Sequence, residues 1–418
     1  MLATRESSQS PFVALAALAA VVALLVWWGG WALPVVLVAI VLMIMGHEFG
    51  HFITAKRSGM EVTDYFIGFG PVLWSMTRGE TRYGVRAFLL GGYVKVPGMT
   101  WDSEVASENE ARTYRAASYP RKVLFASAGS LMHGVMALVL AWASLTLIGL
   151  PSNSHVGVLA FAKWDGYQQT AAQRAGLHVN DQIVAVNGVR ITSSTQLVDL
   201  VHHRAGDALT LLVDRHGHDV TLHATPVDGR TIKAGGVALA SGTQPDGFLG
   251  IEVGALITRS SLLGAVPGSF RQVGSLVTQA VTSIGHVFSP HEFVNLFHQV
   301  ASSAAANNRH NQLTRPTSIV GVVRLAVQST HNGVGTLLQI LIAVNIFVGV
   351  LNMVPMLPLD GGYVLVSTYE RLRSRGGRRY HADVARLTPV IYAFMSVLLV
   401  LFAMTLYLDI AHPIANPF

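Results

Sequence analysis

Val41-Leu42-Met43-Ile44-Met45-Gly46-His47-Glu48-Phe49-Gly50-His51 places an H-E-x-x-H pattern at the end of a long apolar run. Between Ser7 and Gly46 there is no Asp, Glu, Lys or Arg. A spanning helix needs roughly 20 apolar residues, so the stretch has room for two spans, read at 12–31 and 35–56 with Gly29, Gly30 and Pro34 at the turn. A signal peptide is the competing reading of the first span. Arg5 is its only basic n-region residue, however, and no clear Ala-x-Ala site closes it. At the end of the second span, two imidazoles four residues apart share one helix face and are able to share a zinc ion. Glu48, one step round, is near enough to take a proton from water that the zinc activates. The bland alternative is an interfacial motif whose polar groups simply reach water. Against it stands the cost of placing a charged side chain at the membrane centre, about 2.5–3.5 kcal/mol for a central aspartate or lysine.

Composition agrees with a membrane setting. The 418 residues are 51% hydrophobic and only 12% charged, which excludes an ordinary single soluble domain. The net charge of +6 does not point to nucleic acid, because the basic residues cluster beside apolar runs. With no cysteine, disulfides and thiolate ligands are excluded, so any metal is held by His, Asp or Glu. Further apolar runs at Val123–Leu150, Val334–Leu359 and Leu387–Leu408 bring the total to about five spans. Leu262–Phe288, interrupted by Arg271 and several Gly and Ser, reads as an interfacial or amphipathic segment. Lys56 and Arg57, Arg121 and Lys122, and the group Arg371, Arg373, Arg375, Arg378 and Arg379 then fall on one side, the cytoplasmic one. The region from Pro151 to about Gly333 lies outside, as does the C-terminus.

A catalytic zinc usually takes three protein ligands. Asp360 is the first carboxylate after a run uncharged back to His331, and Pro355, Pro358, Gly361 and Gly362 around it oppose a continuous helix. It reads either as the third ligand beside a water-filled cavity or as a helix-end carboxylate at the cytoplasmic interface. Thr81–Phe88 followed by Leu89–Val96 reads as a β-hairpin-like element after the catalytic span. Such an element offers either a strand edge for an unwound substrate or a plain cytoplasmic hairpin. Asn345 and Asn352, seven apart on one helical face, either bond substrate backbone or join helices.

In the outside region, Asp181–Val189 is an alternating strand ended by Asn187-Gly188, and Ser194–His203 a helix with Leu197, Leu200 and Val201 on one face. Leu209–Asp214 and Asp219–Ala224 form a hairpin about His216-Gly217-His218, and Phe248–Ile251 is read as a final strand. His202, His203, His216, His218 and His223 read as surface histidines and not as a second metal site. Asn307–Arg315 is read as a loop.

Together, His47–His51 and Asn352–Gly361 (N-x-x-P-x-x-x-L-D-G) resemble the signature pair of the site-2 protease family, particularly its bacterial RseP-like members. The resemblance runs on through Gly68-Phe69-Gly70-Pro71 and Leu90-Gly91-Gly92-Tyr93-Val94, and covers nearly everything after about residue 35. It implies one catalytic Zn2+ held by His47, His51 and Asp360, with Glu48 as general base. It also implies a membrane-associated sheet at residues 81–96, with Gly91, Gly92, Tyr93, Asn345 and Asn352 as substrate-binding candidates, and an outside PDZ-like domain. Such a domain either captures a chain end or filters substrates by size. Where the family commonly has G-P-x-x-N, this chain reads Gly129-Ser130-Leu131-Met132-His133. His133 either faces the zinc cavity or bonds a neighbouring helix.

The resulting fold class is a polytopic α-helical membrane protein with a membrane-associated β-hairpin and an extracytoplasmic PDZ-like α+β domain. Its expected division is an extra N-terminal span (1–33), a first half of the catalytic core (34–150), the PDZ-like domain (151–255), a connecting region (256–333) and a second half of the core (334–418). By the resemblance, the protein is a zinc-dependent intramembrane endopeptidase of a bacterial inner membrane. Its partners are the lipid bilayer and single-span regulators (of the anti-sigma-factor kind) or remnant signal peptides, with no nucleic acid. A metal transporter or a non-proteolytic PDZ-bearing scaffold is the alternative from another class.

Overall fold

The computed structural model describes residues 11–99, 105, 109–164, 166, 169–234, 237–238, 240, 243–330, 333–374 and 380–414. Arg5, His331, Arg375, Arg378 and Arg379 lie outside these. The chain divides into two compact units, Ser144–Ala265 and the remainder on either side of it.

The larger unit opens with the apolar helix α1 (Pro11–Gly29) and α2 (Ala32–Arg57), which carries His47, Glu48 and His51. The turn between them falls at Gly30 and Trp31, as the glycine pair anticipates. Then come α3 (Tyr119–Ala143), α4 (Val334–Asn352), α5 (Asp360–Arg373) and α6 (Thr388–Ala411). Among the described residues, four helical stretches are long and apolar enough to cross a bilayer: 32–57, 119–148, 334–352 and 384–411. Their packed faces are narrow. Val36 and Met43 of α2 meet Ala326, Leu337 and Leu341. Ala137 and Ala141 of α3 meet Ile342 and Ile346 of α4 and Ala280 of the helix Ala265–Val287. Small residues let these backbones approach, the usual device where hydrocarbon surrounds the helices. Val38, Leu42, Leu131, Val135, Val139 and Leu399 point outward and are exposed, as suits a membrane protein.

Three sequence expectations are corrected in this unit. The apolar run Val334–Leu359 is not one helix. It stops at Asn352, and residues 353–359 form a non-helical loop, because Pro355 and Pro358 cannot continue the backbone ladder. Asn307–Arg315 is not all loop: Arg309–Thr314 is a short helix, capped by Asn308 Oδ1 accepting from the His310 and Asn311 N–H groups.

The β element also differs. The hairpin is made by β1 (Asp64–Arg78) and β2 (Thr81–Lys95), and turns at Gly79-Glu80. The two halves of β2 do not pair with each other. Phe66 of β1 stands opposite both Gly84 and Tyr93, so segment 64–67 lies between 82–85 and 92–95, while 74–78 pairs beyond 81–85. Gly68 and Gly70, at φ +87° and +83°, let β1 turn out of the first pairing and into the second. Segment 92–95 is therefore a border of the sheet among the described residues. Ala55, Met60, Val62, Val96, Tyr114 and Phe125 form the buried cluster that seats this sheet on α2 and α3.

The smaller unit is a six-stranded antiparallel sheet in the order 251–258, 150–161, 182–186, 209–215, 218–224, with 189–190 paired to 182–186. Asn187-Gly188 and His216-Gly217 make two-residue turns, all four residues at positive φ, as the sequence anticipates. The helix is Ser194–His202, capped by Ser193, with Leu197 and Val201 buried. The third apolar run ends earlier than expected, since Leu150 already belongs to strand Leu150–Phe161, which the polar Ser152-Asn153-Ser154 stretch hides in the sequence.

Candidate metal centre

His47 and His51 project from one face of α2, with ring centroids 4.8 Å apart and their Nε2 atoms 3.2 Å apart. Asp360 is the first residue of α5, and its Oδ2 lies 3.5 Å from His47 Nε2 and 3.3 Å from His51 Nε2. That oxygen is buried and makes no hydrogen bond. A tetrahedral zinc with ligand bonds of about 2.0–2.2 Å separates its donors by roughly 3.3–3.6 Å, so the three atoms have the spacing the ion needs. Among the described residues, no other group of three metal-binding side chains comes together in this way. His202, His203, His216, His218 and His223 of the smaller unit do not gather into such a group.

Several local features build this triangle. The loop 353–359 folds back over the start of α5, and a Cβ on Gly361 or Gly362 would strike the backbone of Met353 or of Leu357. The two glycines after Asp360 thus let the carboxylate approach α2. Gly129 of α3 faces both imidazoles, and a Cβ there would lie 2.5 Å from His51 Nε2. His51 Nδ1 donates to the Phe125 carbonyl at 2.8 Å, which fixes the tautomer and leaves the Nε2 lone pair toward Asp360. Sequence reasoning missed Phe125, because a backbone carbonyl has no residue signature.

Glu48 packs against the sheet border, where a Cβ on Gly92 would come within 2.7 Å of its Cγ. Gly91 is filled by the Phe69 ring, and Tyr93 stacks on Phe66 with centroids 5.6 Å apart. The Tyr93 hydroxyl accepts from Arg86 at 2.8 Å, and Arg86 also donates to the Gly70 carbonyl at 2.6 Å. Arg86, a tie across three segments of the sheet, is another residue the sequence did not single out.

Asn345 is fully buried. Its Nδ2 donates to the Leu341 carbonyl at 3.1 Å and its Oδ1 faces His133 Nδ1 at 3.0 Å. Of its two sequence readings, this geometry is that of a helix-joining residue. Asn352 ends α4, half-buried. His133 combines both of its alternatives, bonding Asn345 while its ring centroid sits 5.1 Å from that of His47.

Comparison with known proteins agrees with this chemistry. Residues 35–398 match peptidase family M50. Zinc metalloprotease Rip1 of Mycobacterium tuberculosis is 30% identical over 406 residues, covering 90% of this chain and 96% of that protein. The protein of the same name in Mycolicibacterium smegmatis is 27% identical over 405 residues, with coverage of 90% and 96%. Membrane metalloprotease ARASP, chloroplastic, of Arabidopsis thaliana is 27% identical over 353 residues, covering 82% of this chain and 71% of that protein. With its His-His-Asp group and this match over most of its length, the chain belongs to peptidase family M50, the site-2 proteases, and is a zinc metalloprotease.

Proposed function

We propose that the protein is an intramembrane endopeptidase that cuts transmembrane segments of single-span regulatory proteins or remnant signal peptides. The observation that carries this reading is the triangle of donor atoms at 3.2, 3.3 and 3.5 Å, two of them on a helix apolar enough to span a bilayer. In it His47, His51 and Asp360 are the zinc ligands and Glu48 is the general base. When bound, zinc supplies Lewis-acid polarisation of the scissile carbonyl and a water acidified toward a pKa of about 7.

The substrate helix hides its carbonyls in its own hydrogen bonds, so cleavage requires it to unwind, which is costly in lipid unless the freed groups are paired. The border segment 92–95 offers backbone N–H and C=O groups to an extended chain. Glu48 touches Gly92, which would bring a chain paired there beside the carboxylate. Glu48 accepts the proton of the attacking water and returns it to the departing amine nitrogen. Gly91, Gly92 and Tyr93 line the substrate path in this reading, with Asn352 near its end, while Asn345 serves the site through His133.

The proposed setting is a bacterial inner membrane crossed five times, α1 included, with the basic ends of α2 and α5 cytoplasmic. The smaller unit is then an extracytoplasmic PDZ-like domain, a reading favoured by its antiparallel sheet, the capped helix Ser194–His202 and the border strand Ile251–Thr258 after Gly250. The domain division 1–33, 34–150, 151–255, 256–333 and 334–418 belongs to the same proposal.

Glu48→Gln tests the reading in the detergent-purified full chain. It is expected to keep zinc and to lose cleavage of a single-span substrate. Cleavage at the unsubstituted rate would sink the assignment of Glu48.

A further inference from the structure

A metal-binding imidazole is usually steered by its second nitrogen, which donates to a carbonyl, carboxylate or water. His51 follows this rule through Phe125. For His47 the same nitrogen, Nδ1, is buried against the Gly129 backbone, in a contact of poorer geometry than the His51–Phe125 bond. What borders the His47 ring is the ring of His133, tilted by 46° at a centroid separation of 5.1 Å.

His133 is itself held firmly. It is 3% exposed, and a Cβ on Gly349 of α4 would come within 2.9 Å of its own Cβ. The Asn345 amide that meets it has a fixed orientation, because Nδ2 is engaged by the Leu341 carbonyl and only Oδ1 is left to face the imidazole. An amide oxygen only accepts, so His133 Nδ1 is the donor. The chain of contacts thus runs from the α4 backbone through Asn345 and His133 to the His47 ring. His133 stays out of the donor triangle, which contains His47, His51 and Asp360 alone among the described residues.

We propose that His133, locked by Asn345, is a positioning residue for His47: its ring adds to the weak Gly129 backbone contact the restraint that a good hydrogen bond gives His51. Packing by His133 and Gly129, one turn apart on α3, keeps His47 Nε2 turned toward His51 and Asp360. The inference rests on the proposed role of His47 as a zinc ligand.

Zinc release from the detergent-purified full chain to an excess of chromophoric chelator tests it, together with the visible spectrum of the Co2+-substituted protein. His133→Ala is expected to release zinc about 10–100-fold faster and to shift the cobalt spectrum. His133→Phe, which keeps a ring, is expected to restore most of the retention, and Asn345→Ala to fall between the two. Wild-type release with an unchanged cobalt spectrum in His133→Ala would overturn the proposal, as would a His133→Phe protein as leaky as the alanine variant. Should His133→Ala fail to fold, Asn345→Ala decides: normal zinc release there overturns the inference. His47→Ala separates the two levels, since stoichiometric zinc with wild-type release in that variant would defeat the ligand assignment itself.

Discussion

Lys122 Nζ lies 3.0 Å from Glu370 Oε2, joining the start of α3 to the far end of α5, whose first residue is Asp360. The side chains are only 9% and 15% exposed, and the Tyr114 and Ser367 hydroxyls meet at 3.0 Å nearby. Glu370 also accepts the Ala382 N–H at 3.1 Å. The helix that presents Asp360 at one end is therefore clamped at the other to the helix that carries Phe125 and Gly129. Lys122→Met takes the cation from Glu370 Oε2, leaving the carboxylate only the Ala382 N–H and the His381 ring on its other oxygen, and is expected to cost about 1–3 kcal/mol. The double variant with Glu370→Gln should recover part of that loss. Denaturation in detergent reads both, and equal stability of Lys122→Met and the parent would dismiss the clamp.

Asp360→Ala removes the only carboxylate of the donor triangle and one edge of the coordination shell. Metal analysis after dialysis is expected to show zinc well below stoichiometry. A full complement of zinc in this variant would remove Asp360 from the ligand set.

Gly92→Val tests the sheet border against the metal. Its Cβ would press on Glu48 Cγ and on the Phe66 carbonyl at 2.9 Å, so either Glu48 or the strand must shift. Displacements of about 1 Å can cost roughly 10²-fold in rate, and a loss of that order is expected with zinc content unchanged. Gly91→Val presses instead on the Phe69 ring and should be milder. Equal activity of Gly92→Val and the parent would separate the border from catalysis.

In the smaller unit, Arg215 donates to both carboxylate oxygens of Asp181, at 2.8 and 2.7 Å, and the His178 N–H adds a third bond at 2.7 Å. Burial alone would raise the Asp181 carboxyl, but these donors outweigh it and hold it below the usual carboxylate range. A depressed folded-state value means the stabilisation is complete above the unfolded value of about 3.9 and is lost as pH falls through the folded one. Hydrogen exchange in strands 182–186 and 209–215 of the full chain should therefore rise as pH drops below about 4, after correction for intrinsic rates. Asp181→Asn should raise it already at neutral pH and flatten that dependence. An Asn variant with parental exchange at every pH would show that the pair contributes nothing.

How much of this was legible in the sequence depended on where the information resides. His47, Glu48 and His51 carry their chemistry in side chains at a telling spacing inside an apolar run, whereas Asp360 stayed open between ligand and helix-end carboxylate until the family resemblance favoured the ligand. Asn187-Gly188 and His216-Gly217 announced their turns because few residues tolerate positive φ. Strand β1 was missed because Gly68-Phe69-Gly70-Pro71 entered only as part of the resemblance, whereas its glycines are where the strand changes partners. Hydropathy alone carries the run Val334–Leu359 past Asn352, whereas Pro355 and Pro358 already argued for the break that the structure shows there. The link from Asn345 to His133 spans 212 positions and shows only when α3 and α4 are packed together.

The split origin of the donor triangle has a mechanical consequence. His51 and Asp360 stand 309 positions apart, so an ion held by both closes a loop of most of the chain, much as a disulfide would. A protein without cysteine thereby acquires a long-range cross-link, tying the end of α2 to the loop-and-helix junction after α4. Chelation should act on architecture as well as chemistry: the melting temperature is expected to fall on zinc removal and to recover on its return, even in the Glu48→Gln protein, where no turnover is at stake. An unchanged melting temperature would mean that packing alone holds the two halves of the membrane unit together.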